Sequence, residues 1–139
     1  MDSSTVIALT GFIGWTLILL VLMELIRSKM VFCKEIAPNE FNPNNSNLSE
    51  FMQRLARAHA NCIEGLPIFG GLLIVAYITS NSGITDPLAF VFLGARIIQS
   101  LIHLVSLSPV AVTARFSAFA VQLVIGVYWC YELMSVAFK

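Results

Sequence analysis

The stretch from Arg54 to Phe69 reads RLARAHANCIEGLPIF and joins a polar helical segment to an apolar one. Four polar side chains recur in it at helical spacing: Arg54, Arg57, Asn61 and Glu64. At about 100° per residue, these four fall within roughly an 80° arc of one helix face. We call this set the polar stripe. It places two cations, an amide and an anion on one side of a helix that runs directly into apolar sequence.

The polar stripe has two interpretations. Polar groups at membrane depth are costly unless they are paired or face a wet cavity, so the stripe predicts a functional site. The alternative is a solvated helix start whose Arg and Glu side chains pair along the helix, an interaction of modest strength. His59 falls on the opposite side of this helix, which favours a packing or subunit contact over a ligand role.

Composition places the chain among membrane proteins. Of its 139 residues, 58% are hydrophobic and 12% are charged, and the net charge is zero. Mean hydropathy is +0.83, whereas soluble domains have about a quarter of their residues charged. The length suits one domain, residues 1–139, with membrane lipid as its surroundings. The balanced charge argues against a nucleic-acid partner.

The three cysteines are scattered through the chain at Cys33, Cys62 and Cys130. Their spacing matches neither a disulfide framework nor a set of metal ligands, so we expect no metal site. Cys62 lies within the polar helix, but no neighbouring sequence feature lowers the pKa of its thiol. We therefore expect Cys62 to fill space in the core.

Four apolar runs are long enough to cross a bilayer. They cover approximately residues 5–27, 48–80, 87–107 and 113–138. The first run lacks the cationic start and the small-residue cleavage site of a removed signal peptide, so we expect it to be retained. The predicted fold is an all-α integral membrane protein, an antiparallel bundle of four transmembrane helices.

Turn-forming residues separate these runs. The longest loop is Pro38–Asn47, and either Ser46 or Asn47 is expected to cap the second helix. Residues 81–87 are predicted to form a short polar turn. Pro67 is expected to kink the second span.

The distribution of basic residues predicts the orientation in the membrane. Five lie in or beside the first loop: Arg27, Lys29, Lys34, Arg54 and Arg57. The second loop has none, and Arg115 lies beside the third. By the positive-inside tendency, loops one and three are cytoplasmic and both termini lie on the opposite side.

The third span contains Arg96, Gln99 and His103, which share one helix face. An antiparallel bundle brings the start of span two, the end of span three and the start of span four to one membrane face. Guanidinium groups suit carboxylates, and a glutamate suits an ammonium group. These residues therefore predict a small ligand with two or more carboxylates and an amino group. The alternative is that the Arg and Glu side chains neutralise one another across helices.

One run of this chain resembles the signature helix of the MAPEG family, membrane-associated proteins in eicosanoid and glutathione metabolism: Arg54-x-x-Arg57-Ala58-His59-x-Asn61-x-x-Glu64-x-x-Pro67-x-Phe69. The four spans, the long first loop, Arg96 in span three and Arg115 at the start of span four agree with that family. The resemblance implies a homotrimer that binds glutathione between neighbouring protomers near the cytosolic face. It also implies a lipophilic small-molecule substrate.

The resemblance implies roles on span two. Glu64 would bind the γ-glutamyl ammonium group of glutathione, and Arg57 and Asn61 its carboxylate and peptide groups. Arg54 is a further candidate.

The resemblance also implies roles on spans three and four. Arg96 would neutralise a carboxylate, and Gln99 and His103 complete the candidate ligands on span three. Arg115 would stabilise the glutathione thiolate, because a nearby cation favours the charged form of a thiol. The lipophilic electrophile would arrive along span four near Phe116 and Phe119.

The chain departs from the eicosanoid-forming members of the family. Gln99 and His103 stand where those members have tyrosines, Phe119 also replaces a tyrosine, and Phe116 replaces a serine of the prostaglandin synthase. These differences argue against a dedicated eicosanoid synthase.

Three functions follow from the sequence. The first is a membrane glutathione transferase, with glutathione as co-substrate and a possible peroxidase activity on lipid hydroperoxides. The second is a non-catalytic lipid-binding or scaffold member. The third is a small transporter subunit, which the lack of internal repeats disfavours.

Overall fold

A computed structural model of the chain describes residues 3–139, and its regular structure is helical. The helices are α1 (Ser4–Phe32), α2 (Glu50–Gly65), α3 (Gly71–Ile78), α4 (Ser82–Val105) and α5 (Pro109–Ala137). A π-helical turn, Leu66–Gly70, joins α2 to α3 into one continuous rod. The four resulting rods are each long and apolar enough to cross a membrane. The protein is therefore an integral multi-pass membrane protein.

An aromatic cluster forms the centre of the bundle. Phe92 of α4 lies 5.6 Å from Phe12, 5.0 Å from Phe69 and 5.6 Å from Trp129, measured between ring centroids. These four side chains come from all four rods and are almost fully buried. Offset and edge-on aromatic contacts of this kind add to the packing between rods.

Asp86 joins the start of α4 to the start of α1. One carboxylate oxygen accepts hydrogen bonds from Thr5 N at 2.8 Å and Thr5 Oγ1 at 2.6 Å. The hydroxyl of Thr85 also lies 2.5 Å from that of Thr5. An anion at this position satisfies a free backbone N–H and interacts favourably with the helix dipole.

Asn45 anchors the long first loop to two helices. Its side chain is buried, and its backbone adopts a left-handed conformation with φ of 58°. Asn45 Oδ1 accepts from Arg27 Nε at 3.1 Å, and its Nδ2 donates to Met52 O at 2.7 Å. Arg27 also pairs with Glu24 at 3.1 Å.

Ser49 caps α2, so the prediction of Ser46 or Asn47 at this position is wrong. Ser49 Oγ accepts from Met52 N at 3.3 Å. The two predicted residues instead close the loop, where Asn47 Nδ2 donates to Glu40 O at 2.8 Å.

The prediction of a turn over residues 81–87 is also wrong, because α4 begins at Ser82 and includes Pro87. Pro87 lacks a backbone donor, but it lies close to the helix start, where contacts of Thr85 and Asp86 with Thr5 hold the backbone. The second span was predicted to kink at Pro67. At that position the structure has the π-helical turn between α2 and α3. Turns of this kind occur frequently at functional sites.

Candidate functional site

A groove of about 320 Å³ lies where α2, the end of α4 and the start of α5 meet. It is lined by Arg57, Asn61, Glu64, His103 and Arg115. Arg57, Asn61 and Glu64 come from one face of α2, as the helical spacing predicted. The antiparallel order of the rods brings His103 and Arg115 to the same place, so most of the predicted ligands share one groove.

A smaller groove of about 210 Å³ adjoins the first. It shares Asn61 and Arg115 with it and adds Gln99, Phe116 and Phe119. We call the two together the polar groove. Arg115 thus lies between charged residues of α2 on one side and aromatic residues of α5 on the other.

The charged residues of the polar groove do not pair with one another. Within residues 3–139, the ion pairs closer than 4.0 Å are Glu24–Arg27 and Glu50–Arg54. Glu64, Arg57 and Arg115 take part in neither. Arg115 Nη1 is also buried without a hydrogen-bond partner. A buried donor without an acceptor is costly, so the groove suits a ligand that has both anionic and cationic groups.

Within the polar stripe, Arg54 is the residue that forms an ion pair along the helix, as the alternative interpretation of the stripe predicted. Arg54 lies 3.9 Å from Glu50 along α2, and its Nε donates to Leu104 O of α4 at 2.9 Å. These contacts tie the start of α2 to the end of α4. Arg54 lines a neighbouring surface groove that it shares with Arg57 rather than the polar groove itself.

A second, larger groove of about 480 Å³ lies between the α2–α3 rod and α5. Its lining is mostly apolar and includes Ile68, Leu72, Leu123 and Val127. We call it the apolar groove. Asn61, Glu64 and Phe119 line it as well, so the two grooves share one boundary.

Arg96 lines the apolar groove, whereas the other predicted ligands of spans three and four line the polar groove. Its side chain is 1% exposed. The guanidinium carbon lies 5.2 Å from the ring centroid of Phe12 and 5.8 Å from that of Phe69. Its Nη1 donates to Asn61 O at 3.4 Å, and its Nε has no partner among residues 3–139.

The family model of the MAPEG family matches residues 5–134, nearly the whole chain. The chain belongs to the MAPEG family. It is accordingly a membrane protein of eicosanoid and glutathione metabolism. No curated protein and no solved structure matches the chain.

In this MAPEG protein, Gln122 belongs to the polar surroundings of the site although the sequence predicted no role for it. It is fully buried in α5, and its Nε2 donates to Gln99 Oε1 at 2.9 Å and to Ala118 O at 3.1 Å. Gln99 in turn lines the polar groove. The signal available in the sequence was a polar amide within an apolar span, which is costly without a partner.

Two residues of α2 in this MAPEG protein lie outside the polar groove. His59 is partly buried, and its Nε2 lacks a hydrogen-bond partner within the described residues. Cys62 is fully buried, with its Sγ 3.5 Å from Ser100 Oγ. The burial of Cys62 in the core agrees with the predicted packing role.

Proposed function

We propose that this MAPEG protein is a membrane-bound glutathione transferase that joins the glutathione thiolate to lipophilic electrophiles. The observation that supports this function is the polar groove, where one carboxylate and two guanidinium groups lie together without pairing. Glutathione has two carboxylates, one ammonium group and one thiol. Its charges are therefore complementary to those of the groove.

Binding is divided among the residues of α2. Glu64 accepts hydrogen bonds from the γ-glutamyl ammonium group. Arg57 binds a carboxylate with two parallel hydrogen bonds, the geometry to which a guanidinium is suited. Asn61 lies between them on the helix face and binds the peptide groups.

Arg115 stabilises the sulfur as a thiolate, which is the reactive form. The thiol proton leaves to solvent, the sulfur forms a bond to the electrophilic carbon, and a leaving group departs with its electron pair. Gln99 donates a hydrogen bond beside Arg115, and Phe116 and Phe119 contact the apolar substrate. The protein thus contributes positioning and electrostatic stabilisation, with no covalent intermediate of its own.

The same site is suited to reduction of lipid hydroperoxides. In that reaction two glutathione molecules form a disulfide, and the hydroperoxide becomes an alcohol and water. We propose that the protein works as a homotrimer with glutathione bound near the cytosolic face, between neighbouring protomers. Loops one and three lie in the cytoplasm in this arrangement.

A second candidate is a non-catalytic lipid-binding member of the family. Gln99 and His103 favour it, because they stand in place of the tyrosines of the eicosanoid-forming members. The apolar groove would then be the binding site. This candidate predicts a lipid ligand without turnover.

Calorimetric titration of the detergent-purified protein with glutathione tests the proposal. We expect binding by the wild type and weakening of roughly tenfold or more in Glu64→Gln, because a hydrogen bond between charged groups contributes about 1.5–3 kcal/mol. Glu50→Gln is the matched control, since Glu50 lies on the same helix but is exposed and outside the polar groove.

Conjugation of an aryl chloride, followed by chloride release, then separates the two candidates. Turnover supports the transferase. Glutathione binding without turnover of either an aryl chloride or a lipid hydroperoxide supports the non-catalytic member. Equal affinity of glutathione for the wild type and Glu64→Gln would exclude the proposed binding mode.

A further inference from the structure

His103 is a buried titratable group that the proposed reaction does not use. It is 5% exposed, and its Nδ1 is buried without a hydrogen-bond partner among residues 3–139. A neutral imidazole has one N–H donor and one nitrogen that can accept a proton or a hydrogen bond. Because a polar group without a partner is costly at membrane depth, this ring is a marker of function.

The fold places this ring at the wall of the polar groove. His103 lines the groove together with Arg57 and Glu64 of α2 and with Arg115 of α5. Arg57 and Glu64 are exposed, so the groove opens at the surface of the helix bundle. The imidazole therefore shares one open groove with the cation proposed to stabilise the glutathione thiolate.

Charged groups from two neighbouring helices act on the ring. Arg54 and Arg57 of α2 and Arg115 of α5 lie close enough to act on it electrostatically. Glu64 of α2 is the anion of the same groove. The three cations disfavour a lasting positive charge on the ring, so in the free protein the imidazole is neutral and its lone pair is available.

The position of His103 along its helix tolerates a short-lived positive charge. His103 lies in the last turn of α4, which ends at Val105, and the C-terminal end of a helix favours a cation. Glutathione, with two carboxylates and one ammonium group, also brings a net negative charge into the groove. These surroundings allow the ring to take up a proton during the reaction and favour its release afterwards.

We infer that His103 accepts the thiol proton of glutathione and passes it to solvent. The S–H bond breaks, its electron pair stays on the sulfur as the thiolate, and the proton bonds to the free imidazole nitrogen. The imidazolium then releases a proton to water at the mouth of the groove, which returns the ring to its neutral form. The inference deepens the proposed function and rests on it, since it supplies the path by which the thiol proton leaves.

Arg115 and His103 then have separable roles. A cation sets how much thiolate exists at equilibrium, whereas a proton acceptor sets how fast the thiolate forms. The competing role for His103 is that of a hydrogen-bond ligand of glutathione, which the family resemblance implies. The groove favours the proton role, because its guanidinium groups already match the carboxylates of glutathione and histidine is the most frequent acid–base residue in enzymes.

Stopped-flow mixing of the full-length detergent-purified protein with glutathione tests the inference, with the ultraviolet absorbance of the thiolate as the signal. In His103→Gln, the rate constant of thiolate formation should fall about a hundredfold or more, the lower end of the usual contribution of a general base. The amplitude of the signal should stay at its wild-type value, which also shows that the variant has folded and binds glutathione. His59→Gln is the matched control and should keep the wild-type rate, since His59 lines neither part of the polar groove.

Free imidazole provides a second readout. His103→Ala leaves space for it beside a groove of about 320 Å³. Imidazole added in solution should therefore restore part of the lost rate in His103→Ala and leave the wild-type rate unchanged. A purely structural role of the ring would give no such recovery.

The same measurements separate this inference from the proposed function. If His103→Gln forms thiolate at the wild-type rate, or loses affinity for glutathione in place of rate, the inference is overturned and the proposed function stands. Failure of imidazole to restore His103→Ala has the same meaning. If the wild-type protein forms no thiolate with glutathione, the proposed function fails and the inference fails with it.

Discussion

Gln122 Nε2 donates a hydrogen bond to Gln99 Oε1 at 2.9 Å, between α5 and α4. This bond fixes the amide oxygen of Gln99, and Gln99 lines the polar groove, so its NH₂ group is the part of the amide available to a ligand there. Arg115 lines the same part of that groove. We therefore expect Gln122 to act as a positioning residue, which orients an amide donor beside the cation proposed to stabilise the thiolate.

Replacement of Gln122 by leucine should lower both conjugation and stability. The buried oxygen of Gln99 loses its donor, which costs about 1–3 kcal/mol in the free energy of unfolding. The conjugation rate constant should fall more than the affinity for glutathione, because Gln99 is no longer held beside Arg115. Thermal unfolding in detergent and steady-state kinetics measure the two effects.

A double variant, Gln99→Leu with Gln122→Leu, is the control for this prediction. It removes both polar partners, so much of the lost stability should return while the rate stays low. If the double variant is as unstable as Gln122→Leu alone, the unpaired amide of Gln99 is not the cause of the lost stability.

Arg115→Gln should slow conjugation most strongly at acidic pH. The proposed role of Arg115 is to lower the pKa of the bound glutathione thiol by its positive charge. Without the cation that pKa rises, so less thiolate exists at low pH and the rate recovers as the pH increases. Arg115→Lys keeps the charge and should retain the wild-type shape of the pH–rate profile. If the conjugation rate of Arg115→Gln falls by the same factor at every pH, Arg115 positions glutathione without lowering the pKa of its thiol.

Gly65→Ala should displace Arg96 from its place beside α2. The added Cβ atom would lie 2.6 Å from Arg96 Nη2, closer than a Cβ atom comes to a non-bonded atom, so the end of the Arg96 side chain must shift. We expect a lower unfolding temperature in detergent. Gly71→Ala is the matched control on the same rod, because its added Cβ would have no atom within 4 Å apart from the backbone of its own helix and its chain neighbours. That substitution should be neutral or stabilising by about 0.5–1 kcal/mol, since alanine favours a helix over glycine. Equal effects of the two substitutions would rule out the steric explanation.

Asp86→Ala should destabilise the bundle without affecting glutathione affinity. It removes the acceptor of Thr5 N and Thr5 Oγ1 at the start of α1. Asp86 accepts from a free N–H of the first turn as a cap residue does, and the loss of such an acceptor costs about 0.5–2 kcal/mol. Asp86→Asn keeps an acceptor oxygen and should be less destabilised in chemical or thermal unfolding. If the alanine and asparagine variants have the same unfolding midpoint, the hydrogen bonds to Thr5 make no measurable contribution to stability.

The sequence by itself determined the fold class, the four spans and the residues of the polar stripe. Hydropathy and helical periodicity are local properties, because a helix satisfies its backbone hydrogen bonds within its own segment. The order of the spans also predicted that Arg57, Asn61 and Glu64 would meet Arg115 at one end of the bundle. The start of α4 was predicted wrongly, because contacts between Thr5 and Asp86, distant in sequence, hold that turn in a helix.

Only the tertiary structure decided which groove each polar side chain lines. Arg96, Gln99 and His103 share one face of α4 in sequence, yet Arg96 lies in the apolar groove and the other two in the polar groove. Likewise, no local sequence pattern predicts the hydrogen bond between Gln122 and Gln99. Both depend on how each helix is rotated about its axis. That rotation is set by interlocking side chains from different rods, such as the aromatic contacts of Phe92, and helical spacing alone does not determine it.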